Sequence, residues 1–119
     1  MQNFRELEVW KDARILTKKV YILTKQMPDT ERFGLISQMN RAVISITANI
    51  TEGAAKDSQK NFSRFLQISL DSAFELESHL ILSNDLNLTN GAKIDSIITK
   101  TQELQKRIAA FINYLKTIS

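Results

Sequence analysis

The chain has no cysteine, and its 119 residues include only one proline, three glycines and one histidine. Without cysteine there is no disulfide framework, thiolate nucleophile or thiolate metal ligand, and the composition suits a reducing compartment. So few turn formers argue against a many-stranded sandwich and for long helices joined by short loops. Long hydrophobic runs are missing too. No segment approaches membrane-spanning length, and the opening MQNFRELEVWKDAR lacks the apolar core of a signal peptide. The expected setting is the cytoplasm, with no membrane partner. No glycine-rich phosphate loop is present, because Gly34, Gly53 and Gly91 each fall at a helix boundary.

What is there is helical period. Apolar residues make up 43% of the chain, and its length fits one domain over 1–119 with a sizeable core. Four amphipathic segments follow, expected at about 6–26, 35–53, 58–86 and 92–117. The first carries Val9, Ala13, Leu16, Val20, Leu23 and Met27 in alternating steps of four and three, and Pro28 with Asp29 closes it. The second carries Leu35, Met39, Ala42, Val43, Ile46 and Ile50. Asp57 or Ser58 then offers an N-cap to a third segment with Phe62, Leu66, Ser69, Ala73, Leu76 and Leu80. After the turn-forming Asn87–Gly91 comes a fourth, with Ile94, Ile97, Thr101, Leu104, Ile108, Phe111 and Leu115. The architecture these imply is all-α, an antiparallel up-down-up-down four-helix bundle.

The second segment is unusual in its charge. The eighteen residues between Gly34 and Gly53 carry only Arg41 and Glu52, with small polar side chains elsewhere. A solvated helix face normally carries Lys and Glu, so this helix is expected to be covered on more than one side. Apolar residues also lie off the seams: Leu70, Phe74 and Ile81 on the third helix, Ile44 on the second, Tyr21 and Ile22 on the first. A row at helical spacing on a helix that already has a buried face favours a homo-oligomer over a monomer.

Catalytic constellations are absent. A di-metal bundle needs inward carboxylates on all four helices and two Glu-x-x-His motifs, whereas His79 stands four residues after Glu75 and has no second histidine to join it. One histidine, no cysteine and no strand-turn-helix elbow leave no nucleophilic triad. No catalytic, metal-binding or cofactor-binding residues are assigned.

Two polar patterns remain. Ser37, Arg41, Ser45 and Glu52 share one face of the second helix, with Asn49 at its border. A hairpin turning near residues 54–58 sets Asn49 opposite Ser63, Ser45 opposite Gln67, and Arg41 near Asp71 and Glu75. The preferred reading is a polar seam between helices or subunits that fixes register; the other is a ligand site. The second pattern is basic. Net charge is +3, but residues 1–64 hold 11 Lys and Arg against 7 acids while residues 65–119 hold 5 against 6. Lys11, Arg14, Lys18 and Lys25 form a stripe on the first helix, and Lys56, Lys60 and Arg64 cluster at the start of the third. Such a stripe is ordinarily a solvated face; the alternative is a footprint for a nucleic-acid backbone. Aromatics are not interleaved with these lysines, which disfavours sequence-specific reading of single strands.

Taken together, LEVWKDA near the start, ERFGLISQMNRAVISITANITEG in the middle and FSRFLQISLDSAFELESHL after it carry a family resemblance. The chain resembles the bacterial four-helix-bundle proteins encoded in 23S ribosomal RNA intervening sequences, up to about Leu88 in motif and beyond it in periodicity alone. It is also similar to the accessory protein of diversity-generating retroelements. The resemblance implies a left-handed bundle, a homo-pentamer with a central channel, and RNA, DNA or a nucleic-acid enzyme as candidate partners, with no established catalysis. Asn40-Arg41 stands where the family commonly has two arginines, Thr47 where it has proline, and Leu70-Asp71-Ser72 where it has Arg-Gly-Ser. Two cations are lost and one acid gained, which implies weaker nucleic-acid binding, and Thr47 implies a less kinked second helix.

Overall fold

The computed structural model describes residues 1–118, and Ser119, the end of the expected domain, lies outside them. Its four helices are α1 (Glu8–Lys25), α2 (Leu35–Ala54), α3 (Gln59–Asp85) and α4 (Gly91–Ile118), with no strand among the described residues. α1 begins two residues later than expected because Phe4–Glu6 forms a 3-10 turn, whose Asn3 side chain accepts from the Arg5 amide. The remaining bounds fall on or next to the expected residues.

Each joint has a local cause. Ser58 caps α3 by accepting from the Asn61 amide at 3.1 Å, which satisfies one of the orphan N–H groups of a helix start. Asn90 does the same for α4 through the amides of Ala92 and Lys93. At the end of α3, Asn87 adopts a left-handed φ of 54°. The amides of Leu88 and Asn87 then bond back to the carbonyls of Ser83 and Asn84. That is the Schellman arrangement, with asparagine in the position usually given to glycine.

α1 packs on α2 and α4, and α3 packs on the same two, so α1 and α3 stand diagonally apart, with no close backbone approach among the described residues. The result is an antiparallel bundle measuring 46 × 21 × 19 Å. All six expected positions of the first segment, Met27 just beyond α1 included, and all six of α3 are buried, and so are those of α2 and α4 except the half-buried Leu35 and Phe111. α4 adds Ile112 and Gln105 to its buried face. Gln105 is compensated: its amide donates to the Ala73 carbonyl at 3.3 Å and to Glu77 at 2.8 Å, as a buried polar group requires.

α2 and α3 approach closely where α2 ends. A Cβ on Gly53 would lie 2.9 Å from Phe62 Cδ1 and 2.9 Å from Phe65 Cβ. Phe65 Cβ is anchored to backbone and cannot swing away. Gly53→Ala gains about 1 kcal/mol of helix propensity but incurs an overpacking cost of about 1–3 kcal/mol. Gly53→Ala therefore lowers the urea midpoint of unfolding; an unchanged or higher midpoint contradicts the close approach.

Candidate functional site

The polar seam exists between α2 and α3, but with fewer members and a different register than the sequence suggests. Ser45 Oγ meets Ser72 Oγ at 2.9 Å, not Gln67, and Ser72 is buried. Asn49 does not reach toward Ser63; its amide turns back to donate to the carbonyl and hydroxyl of Ser45 at 2.8 and 3.1 Å. Below them Ser69 Oγ donates to the Ile46 carbonyl at 2.8 Å. The partner of Ser45 thus sits five residues beyond the expected one, about one helical turn. The turn itself lies where expected, with both helix ends within one residue of the expected ones, so the difference is in how the two helices are rotated and offset against each other.

Arg41 does approach Glu75, at 4.0 Å, but with its side chain 72% exposed and its nearer contact to Gln38 at 2.9 Å. Asp71 is not its partner; it accepts from Gln67 at 3.0 Å. Ser37, Glu52 and Asp71 are exposed and outside the seam. Glu52 lines the α1–α2 groove instead, because three residues at 100° each turn it about 60° away from Asn49. His79 extends the surface chain, its Nε2 lying 3.4 Å from Glu75 while its buried Nδ1 lacks a hydrogen-bond partner. No three metal-ligating side chains converge among the described residues.

All seven cations of the two basic patterns are exposed. Lys56 and Arg64 converge on one ring: their charged groups lie 5.0 and 5.7 Å from the Phe65 centroid. Arg14 likewise lies 5.5 Å from the Trp10 ring, which meets Phe4 edge-on at 5.0 Å. Aromatics therefore do accompany these cations, in space rather than in alternation along the chain. Phe65 is adjacent to Arg64, and that adjacency is the signal the sequence offered. Trp10 and Arg14 wall an open groove of about 450 Å³ against Thr47, Ala48, Thr51 and Glu52 of α2. Lys18 and Lys25 continue along α1 away from that end, so the stripe and the end cluster are not merged into one patch.

Fold and surfaces together define an antiparallel four-helix-bundle protein whose distinctive features lie on its outer faces. The chain belongs to the 23S rRNA-intervening sequence protein family, whose model matches residues 5–110 and thus reaches well into α4. Among solved structures it is similar to a protein of unknown function from the S23 ribosomal protein family of Bacteroides thetaiotaomicron VPI-5482. The two share 26% identity with a TM-score of 0.81, over 87% of this chain and 97% of that one. No curated protein matches the chain.

The seam and the surface pair differ in energetic weight. Arg41→Ala shifts stability by less than about 0.5 kcal/mol, the range of an exposed ion pair. Ser72→Ala removes a buried hydroxyl partner and costs about 0.5–1.5 kcal/mol. Denaturant titration of both variants checks this order, and a larger loss from Arg41→Ala contradicts it.

Proposed function

We propose that the protein is a non-enzymatic assembly module whose copies associate into a homo-oligomer, with a pentamer favoured by the family resemblance. The observation that carries this is the outer surface of α3. There Ile68, Phe74, Ile81, Leu82 and Leu86 expose between 41% and 60% of their surface. Isolated exposed apolar residues are ordinary, but four on one helix and a fifth at its C-cap form a patch that association would cover. The expected row is modified in detail, since Leu70 is half-buried against the core while Ile68 and Leu82 are exposed. Ile44 on α2 adds 46% exposure. The cytoplasm goes with this reading, supported by the absence of cysteine; among the described residues no helix is long and apolar enough to cross a membrane.

Light scattering checks it directly. The expected mass is a concentration-stable multiple of 13.6 kDa, lowered in Phe74→Glu. A mass of one chain at every concentration overturns the reading.

A second reading, association with RNA or DNA, is favoured by one observation. Lys56 and Arg64 rest on Phe65, which pre-orders two long side chains and lowers the entropy lost on binding phosphate. Lys60 stands between them in sequence and adds a third charge. Repetition in an oligomer multiplies such weak contacts. Affinity for RNA or DNA then falls steeply with salt, and removing all three cations reduces the slope of log K on log salt by up to about 3. No retention of either nucleic acid at low salt removes this reading.

A further inference from the structure

We propose that the oligomer assembles head to tail, the outward face of α1 on one copy seating against the outward face of α3 on the next. This rests on the self-association proposed above and adds which surfaces meet. Charge is segregated between these two helices. From Lys11 to Lys25, α1 carries five Lys and Arg against the single Asp12. From Phe65 to Asp85, α3 carries four acids and no Lys or Arg. Asp71, Glu75 and Asp85 among them are exposed.

The two faces stand on opposite sides of the bundle, because α1 and α3 are diagonal to each other. They are also at the same height. Asp12 pairs with Arg107 on α4, and two residues before it Gln105 bonds the Ala73 carbonyl on α3. The start of the cationic stretch is therefore level with Asp71. Lys11, Lys18 and Lys25 recur every seven residues, as do Asp71, Ser78 and Asp85. Each set spans fourteen residue steps, about 21 Å of helix. Apolar contacts match in the same way: Ile15 and Ile22 on α1 are 56% and 51% exposed, against Phe74 and Ile81 on α3.

Sign decides the symmetry. Setting α1 on α1 places cation on cation, and α3 on α3 places acid on acid; like-charge juxtaposition costs several kcal/mol in an interface. Only α1 on α3 pairs opposite charges. Such an interface is heterologous, so a dimer still offers one unmet face of each kind, and the rotation between successive copies sets whether growth closes a ring or runs on as a filament. Assembly also covers Lys11, Lys18 and Lys25, and leaves the end cluster of Lys56, Lys60 and Arg64 as the surface open to a polyanion.

Charge reversal tests the pairing. Lys18→Glu/Lys25→Glu reverses α1, and Asp71→Lys/Asp85→Lys reverses α3, all at exposed positions whose folding is followed by circular dichroism. Each double variant is expected to lose the wild-type mass and run as one chain at concentrations where wild type is fully assembled. The quadruple variant carries both reversals, restores opposite signs across the contact and regains the oligomer. Neutral Lys18→Gln/Lys25→Gln raises the concentration needed for assembly at least several-fold and serves if a reversal prevents folding. A quadruple variant that stays a single chain, or double and neutral variants that keep the wild-type mass, overturns the head-to-tail pairing and leaves self-association standing. A wild type that is itself a single chain overturns self-association.

Discussion

The close approach of α2 to α3 sets the positions on which the rest depends. Gly53 admits the edge of Phe62 and the Cβ of Phe65 where any side chain would collide. Just beyond it, Ser69 reaches the Ile46 carbonyl and Ser45 meets Ser72. Small residues let two backbones come together, and each of these hydroxyls has a hydrogen-bond partner. This contact fixes the rotation of α3. Once Ser69, Ala73 and Leu76 face inward, the acids and the exposed isoleucines and phenylalanine have only the outer side left to occupy.

The weak charge of α2 finds its explanation here. Its residues do not form a continuous polar seam from Ser37 to Glu52. Ser45 bonds Ser72 of α3 and Asn49 turns back to Ser45, while Ser37, Glu52 and Arg41, the last 4.0 Å from Glu75, remain exposed. α2 carries few charges because three of its sides are occupied or small: the core, the α3 contact, and the groove against Trp10 and Arg14. A helix walled in this way has little surface that needs strongly hydrated side chains.

Much of this architecture was legible from periodicity, since apolar steps of four and three on α1 and α3 coincide with their buried positions residue by residue. Caps were legible for the same local reason: Ser58 acts through atoms three residues away. Register between helices was not, because it depends on how two helices are offset across a turn, and Ser45 meets Ser72 although both helix ends lie within a residue of the expected ones. Gln105 also escaped notice. A glutamine beside Leu104 looks like a surface residue until Glu77 and the Ala73 carbonyl are in place to receive its amide. The gathering of Lys56 and Arg64 on Phe65 needed the same long-range information, as one of those cations lies before α3 and the other within it.

What emerges is a bundle whose interior is ordinary and whose exterior is polarised. Basic α1 and acidic α3 occupy opposite sides at one height, so a single chain carries both halves of a contact that it cannot satisfy with itself. The most direct measurement uses the absence of cysteine. Lys18→Cys and Ser78→Cys chains, each with one thiol, are mixed and oxidised gently. The account predicts an inter-chain disulfide between the two variants, far in excess of any formed by either variant alone. Equal cross-linking of Lys18→Cys chains to one another, or no cross-link in the mixture, contradicts it.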